Sequence, residues 1–405
     1  MTKTIALVTP WFGNTNGGAE VFCGGLARAL SAAGFNVEVW TTCCRDPFHD
    51  WGTNHLPEGE SEANGVRVRR FPVGPRNADL YAHLYGVVAN GGGLAAAQED
   101  ELLTNSINSP ALVAYIRSQR DSARCFFLPY MYGTTVNGLR AADPANRFLI
   151  PCLHNEPFAY LEIMQRTFER ATGCLFLSTP ERDFASALYD LSHKPTALLG
   201  GGLSPDVLGD AARFRQRTGI TGKFVLSVGR KVPGKGADIL LNHFGDYLAL
   251  NPREEVNLVM VGSGDLDVPA DLRERVLSVN PQSSQDVYDA MAACEFLIHP
   301  SLYESFSLVM MEAWMNGRAV LVNGECEVTQ SHVVRSNGGL YFSSLGEFCE
   351  AMHLLRTRPT MRGAMARAGR AYVEANWLWP HTVGRFARFI AEMDRKSEAA
   401  ATAKS

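Results

Sequence analysis

The sequence predicts an α/β protein made of two doubly wound domains, each built on a mainly parallel sheet. Three observations carry that prediction. Short apolar, β-branched runs alternate with amphipathic stretches in both halves of the chain, which is the rhythm of βαβ units. The length, 405 residues, exceeds one ordinary core and suits two domains of roughly 180 to 200 residues each. Gly200-Gly201-Gly202, followed by Ser204-Pro205, offers a hinge between them.

Taken in order, the first half offers strands at residues 5–8, 37–41, 66–71, 125–128, 148–151 and 174–177, with helices between most of them. The first of those helices follows Gly17-Gly18 and runs to Gly34. The second half offers strands at 224–229, 256–262, 296–299 and 319–322. Beyond about Arg362 the pattern is only helical, through Trp377-Leu378-Trp379-Pro380 to about Met393, and the Ala/Lys/Ser-rich end is expected to be irregular. The resulting bounds are a domain over 1–198, a domain over 199–376, a helix over 377–395 and a flexible tail over 396–405.

Composition narrows the function classes. With 46% hydrophobic and 20% charged residues and a net charge of −4, nucleic acid is not an expected partner. The nine cysteines form no Cys-x-x-Cys pair and mostly lie in apolar runs such as Cys125-Phe126-Phe127-Leu128, so they read as reduced core residues of a cytoplasmic protein. The apolar stretch at residues 4–10 is too short for a signal-peptide core or a membrane span. Arg28 with Arg67, Arg69 and Arg70 leaves peripheral contact with the inner membrane face open, although the acidic balance does not favour it. Nothing in these residues specifies an oligomeric state.

The most informative segment is Pro300-Ser301-Leu302-Tyr303-Glu304-Ser305-Phe306-Ser307-Leu308, which continues through Glu312 to Gly317. An apolar strand ends at His299, a short polar loop follows, and a helix stopped by Gly317 carries Glu312. Both carboxylates then stand at one helix N-terminus, where backbone N–H groups suit phosphate or sugar oxygens and a carboxylate can accept from paired hydroxyls. Polyhydroxylated, phosphorylated ligands fit this chemistry.

Doubly wound sheets bind ligands at the carboxyl ends of their strands, so the other loops in that position are candidates too. Gly17-Gly18 lets a backbone approach phosphate oxygens, though it serves equally as a tight turn. Gly229-Arg230-Lys231-Val232-Pro233-Gly234-Lys235-Gly236 brings three cations to one edge, either as a phosphate clamp or as a solvated basic turn. His154, in the loop after Pro151, could donate to a sugar hydroxyl or simply be structural. Asp265-Leu266-Asp267 invites a metal reading, but it sits in a glycine turn after Val261-Gly262-Ser263-Gly264, where acids usually face water. No histidine pair has metal-ligand spacing, Gly262-Ser263-Gly264 lacks the third glycine of a dinucleotide site, and no phosphate-loop Gly-x-x-x-x-Gly-Lys-Ser/Thr occurs.

In their order and spacing, these residues resemble the retaining glycosyltransferases of group one, or family four, over nearly the whole chain. The resemblance rests on Gly17-Gly18-Ala19-Glu20, Val228-Gly229-Arg230 with Lys235-Gly236, Val261-Gly262-Ser263-Gly264, Val287 to Cys294, and above all Glu304 and Glu312 as that family's Glu-x7-Glu. It implies a GT-B fold, in which two Rossmann-like domains face each other across a cleft and C-terminal helices pack back on the N-terminal, acceptor-binding domain. It also implies a nucleoside-diphosphate sugar donor, a hydroxyl acceptor in a glycan, glycolipid or secondary metabolite, and no cofactor or metal.

By the same resemblance, Glu312 accepts from the ribose hydroxyls, while Glu304 and the backbone around Ser305, Phe306, Ser307 and Leu308 hold the donor sugar. Arg230 and Lys235 clamp the diphosphate, Gly262 lines the donor side, Gly17 and Gly18 close on the phosphates, and His154 stands near the sugar as a catalytic residue beside Glu304, Arg230 and Lys235. No carboxylate is placed as an obvious covalent nucleophile, so retention implies front-face substitution. Ser307 departs from the usual glycine, and its hydroxyl is expected either to narrow the cradle or to cap the helix. Asn323 to Thr329 also replaces the usual Gly-Gly-Pro-Glu loop. Alternatives on the same fold are a nucleotide-sugar epimerase, a glycan phosphorylase, or an inactive nucleotide-sugar-binding subunit.

Overall fold

A computed structural model describes residues 3–13, 17–63 and 65–402. The chain divides into two compact units, one of Met1–Gly202 with Trp379–Ser405 and one of Leu203–Leu378. The first unit holds an eight-stranded sheet: β1 (Thr4–Val8), β2 (Val37–Thr42), β3 (Gly59–Ala63), β4 (Val66–Phe71), β5 (Ala123–Phe127), β6 (Arg147–Leu149), β7 (Gly173–Phe176) and β8 (Thr196–Leu198). Its order is β3-β4-β2-β1-β5-β6-β7-β8, parallel throughout except that β3 runs antiparallel to β4. The second unit holds six parallel strands: β9 (Phe224–Val228), β10 (Asn257–Val261), β11 (Val276–Val279), β12 (Leu297–His299), β13 (Val320–Asn323) and β14 (Gly339–Phe342), in the order β11-β10-β9-β12-β13-β14.

The central strands are the apolar runs of the sequence, because a strand covered by helices on both faces must be apolar at every position. Ile5, Leu7 and Val8 are fully or almost fully buried, and so are Val225, Leu226, Leu258 and Val259. Helices close the cores: Trp40, Phe127, Leu139 and Phe168 share one cluster in the first unit, while Leu240, Phe244, Phe296, Leu321 and Phe348 share one in the second. Four strands have no counterpart in the predicted list, β3, β8, β11 and β14, and each is a sheet edge. An edge strand has one neighbour and one solvated side, so Gly-Glu-Ser-Glu-Ala suffices for β3 and no apolar run marks it.

The domain bounds shift by a few residues from 198/199 and 376/377. Leu203 N–H donates to Trp377 O at 2.9 Å, and Leu203 pairs with Leu378, so both chain crossings are tied together just inside the second unit. The final helix belongs to the first unit, where Trp379 stacks on Phe22 and Phe386 and Phe389 pack on Phe126 and Phe148. The tail assigned to residues 396–405 is corrected as well. The helix Trp379–Thr402 continues into it because Glu398-Ala399-Ala400-Ala401 is rich in the strongest helix former, and residues 403–405 lie outside the described residues. Among the described residues, no helix is long and apolar enough to cross a membrane.

Topology fixes where loops converge. In the second unit the chain builds outward from β9 to β11, then returns to build from β12 to β14, so the winding reverses between β9 and β12. A reversal point leaves a crevice outside the carboxyl ends of its two strands. The loop after β9 contains Arg230 and Lys235, and the loop after β12 contains Glu304.

Candidate active site

Two close backbone approaches shape the β9 side of this crevice. Gly236, in the left-handed region at φ 71°, precedes the helix Ala237–Leu250, and a Cβ there would lie 2.3 Å from Pro300 O. A Cβ on Gly262 would lie 1.8 Å from Gly229 O, so the loops after β10 and β9 touch because residue 262 has no Cβ. Gly262 thus shapes the β9 loop through its backbone.

With the loops drawn together, Lys235 reaches Glu304. The ammonium donates to Glu304 Oε1 at 2.7 Å and to Tyr303 O at 3.1 Å. His299, buried at the end of β12, places Nε2 at 3.2 Å from the same Glu304 oxygen. Burial raises the Glu304 pKa, but Lys235 and His299 outweigh it and hold the carboxyl well below the usual range. The other two cations of the β9 loop do different things. Arg230 is exposed. Lys231 turns inward and donates to Asn280 Oδ1 at 2.9 Å, a tie to the segment after β11.

The helix Leu308–Met315 starts at Ser307, which has φ 69° and ψ 75°. This is the left-handed region, uncommon for a residue with a Cβ, and it explains why glycine suits the position. The hydroxyl does not cap the helix; Ser307 Oγ lies 3.2 Å from His299 Nε2 instead. The cap expectation is therefore wrong, because the left-handed turn aims the side chain back toward β12 rather than along the helix axis. Phe306 is buried against His332 and Trp377, with ring centroids 5.3 and 5.2 Å away, which anchors the loop and leaves its backbone at the helix start. Ser305 and Leu308 flank it, partly exposed.

Glu312 lies on the second turn of that helix. Tyr288 Oη donates to its Oε1 at 3.4 Å, a long bond, and burial pushes the carboxyl up to about 7. Tyr288 comes from the helix Ser284–Ala293, held in place next door by buried Asp289. That carboxylate accepts from Arg213, Gln285 and the Asp210 N–H, which together overcome burial and bring its pKa to about 2.

The predicted residues of the first unit occupy their own strand ends. Gly17 caps the helix Gly18–Ala32 through its backbone alone, and Trp11 donates from its indole to Glu20 in the first turn. Part of this loop, residues 14–16, lies outside the described residues. His154 Nδ1 lies 3.5 Å from Glu156 Oε1, which also accepts from Tyr130 Oη at 2.9 Å. Behind it, buried Glu181 accepts from the N–H groups of Leu153 and Leu177, and burial still pushes its carboxyl up to about 8. Near the ends of β1, β2 and β5, Trp11, Trp51 and Tyr132 form a ring cluster, and the Arg76 guanidinium lies 5.0 Å from the Trp51 centroid.

Sequence reasoning missed His299 as a site residue, Tyr288, Glu181 and this aromatic cluster. The strand-end position of His299 was the one available signal. Asp265 and Asp267 stand exposed, and among the described residues no group of three or more His, Cys, Asp or Glu could share a metal ion.

Comparison with known proteins bears on this arrangement. The model for group 1 glycosyl transferases matches residues 222–357, and that for the glycosyl transferase 4-like domain matches residues 17–202. Mannosylfructose-phosphate synthase of Agrobacterium fabrum is 25% identical over 338 residues, covering 76% of this chain and 71% of that protein. A D-inositol 3-phosphate glycosyltransferase of Stackebrandtia nassauensis is 24% identical over 394 residues, 90% of this chain and 84% of that protein. Among solved structures, sucrose-phosphate synthase from Thermosynechococcus elongatus superposes with a TM-score of 0.73 at 18% identity, covering 97% of this chain and all of that one. Anabaena HepE in complex with UDP-glucose superposes with a TM-score of 0.69 at 18% identity, covering 96% of this chain and all of that one.

Proposed function

The chain belongs to the group 1 glycosyltransferases, with the GT-B fold and sugar-nucleotide-dependent activity, and from that premise we propose a retaining, metal-independent transfer to a hydroxyl acceptor. The observation that carries the reading is the meeting of Lys235, Glu304 and His299 at the reversal point of the second sheet, with Glu304 eight residues before Glu312. A sugar nucleotide needs a cation for its diphosphate, acceptors for its sugar hydroxyls and an acceptor for its ribose, and this segment offers all three.

In the proposed reaction Glu312 accepts from the ribose and Glu304 from the donor sugar. The bond from the anomeric carbon to the phosphate oxygen breaks while the acceptor oxygen bonds to the same face. The acceptor proton passes to the departing phosphate oxygen, so configuration is kept without a protein nucleophile. Negative charge grows on the nucleoside diphosphate, and Arg230 with Lys235 stabilises it, the role a metal fills elsewhere. Lys235 turns its ammonium to the phosphate, which loosens the bonds it makes to Glu304 and Tyr303 O. In the first unit, Gly17-Gly18 and the N-terminus of its helix suit phosphate oxygens, and His154, partly exposed and held beside Glu156, suits a sugar hydroxyl.

The names of the two relatives make a small phosphorylated polyol the first acceptor class to try, beside glycan and glycolipid hydroxyls. The test is a thermal-shift screen against UDP, GDP, UDP-glucose and GDP-mannose, followed by product analysis with the donor that binds. Transfer with retained configuration and full activity in EDTA is expected. An epimerised or phosphorolysed sugar, or inversion, overturns the reading.

A further inference from the structure

We propose that His299 and Ser307 are positioning residues for Glu304: Ser307 fixes the imidazole, and the imidazole holds the carboxylate in place when Lys235 turns toward a diphosphate. The inference rests on the reading of Glu304 as the donor-sugar carboxylate and goes beyond it by naming what orients that group.

Lys235 has two claims on its charge. It bonds Glu304 and Tyr303 O, yet it also lies where the proposed diphosphate binds, and an anionic phosphate oxygen competes strongly for an ammonium. Its side chain is flexible and 27% exposed. His299 is the opposite kind of partner. It is 5% exposed, stands on the sheet itself, and has Nε2 at 3.2 Å from Glu304 Oε1. An ionised carboxylate only accepts, so Nε2 carries the proton and donates it. Ser307 Oγ lies at the same nitrogen, also at 3.2 Å, and limits rotation of the ring.

The backbone adds an independent argument. Ser307 is held at φ 69°, where glycine would relieve the strain, and its hydroxyl makes no cap to offset it. Strain retained at a strand-to-helix turn points to a use for the side chain. The contact it makes is with His299.

The relay predicts an ordered set of losses in how much tighter the intact nucleotide sugar binds than its nucleoside diphosphate. Calorimetry measures this ratio for UDP-glucose against UDP and for GDP-mannose against GDP, using the pair the wild-type protein binds. His299→Leu is expected to lower the ratio about tenfold with diphosphate affinity within about twofold, and His299→Gln, which keeps a donor near Nε2, to restore most of it. Ser307→Ala lowers it about threefold. Ser307→Gly does the same while leaving the melting temperature unchanged or raised, because glycine suits the backbone, and this separates the relay from folding. The double variant Ser307→Ala/His299→Leu is no worse than His299→Leu alone, since Ser307 acts through the ring.

A Ser307→Gly protein with the wild-type ratio, additive losses in the double variant, or diphosphate affinity falling in step with the ratio overturns the relay. The underlying reading fails separately. If Glu304→Gln leaves the ratio unchanged, or no pair binds the wild type, the assignment of Glu304 is wrong; if Glu304→Gln alone moves it, that assignment stands and the relay is discarded.

Discussion

Glu304 and Glu312 sit in the loop after β12 and on the helix it feeds, and burial acts against the charge of both. Their outcomes differ. Glu304 has a lysine and a histidine on one oxygen and stays well below the usual carboxylate range. Glu312 has, among the described residues, a single long bond from Tyr288, and burial pushes it up to about 7. One carboxylate comes with its donors supplied by the protein. The other has one donor among the described residues, as the ribose role proposed for it requires. The difference teaches that a shared motif does not give its two acids a shared state; the neighbours each recruits do.

The strongest way to break this comparison is Glu304→Gln. Turnover is expected to fall about 100-fold or more while nucleoside diphosphate affinity stays within about twofold; steady-state kinetics and calorimetry read both, and near-normal turnover ends the role. Lys235→Ala comes next, with diphosphate affinity down about tenfold. The same variant tests the Glu304 charge state. A carboxylate with a lowered folded pKa contributes stability above its unfolded pKa and loses it as pH falls through the folded value. The wild type should therefore lose stability below about pH 4.5 more steeply than Lys235→Ala, as urea unfolding across pH 3 to 7 will show.

Glu312→Gln sharpens the other half. A raised carboxyl pKa means the unfolded state deprotonates first, so wild-type stability declines as pH rises from about 4.5 to about 7. Gln carries no such penalty. The variant should gain stability relative to wild type across that window and keep the gain at pH 8. Its diphosphate affinity should be weaker at pH 8, and the gap should close below pH 7, where the wild-type carboxyl takes up its proton. The smallest effect is expected from Lys231→Ala, which removes the bond to Asn280 and costs about 1 kcal/mol of stability with diphosphate affinity unchanged within about twofold. A large affinity loss there would show that more than one lysine of the β9 loop serves the phosphates.

Much of the fold was legible in the chain. Strands such as β1, β9, β10 and β13 are apolar at nearly every position because helices cover both faces, and that pattern is local. The four edges were not legible, since a strand with one neighbour and one wet side needs no apolar run. At the site, Glu304, Glu312, Lys235 and the glycines were visible as types at spacings. Their partners were not. Tyr288 sits 24 residues before Glu312 and Lys235 sits 69 before Glu304, and no local pattern links them.

The sequence by itself determined the two doubly wound halves, the loops that follow their strands and the residue types those loops carry, because hydrophobic period and turn chemistry act over a few neighbouring residues. Only the tertiary structure decided that β9 lies against β12, that Gly236 packs on Pro300, and so that Lys235 and His299 converge on one oxygen of Glu304. It also decided that Ser307 turns left-handed and places its hydroxyl beside His299 Nε2 instead of capping the helix. The reason is physical: a charge state and a side-chain direction depend on which groups strand order brings within about 3 Å, the reach of a hydrogen bond.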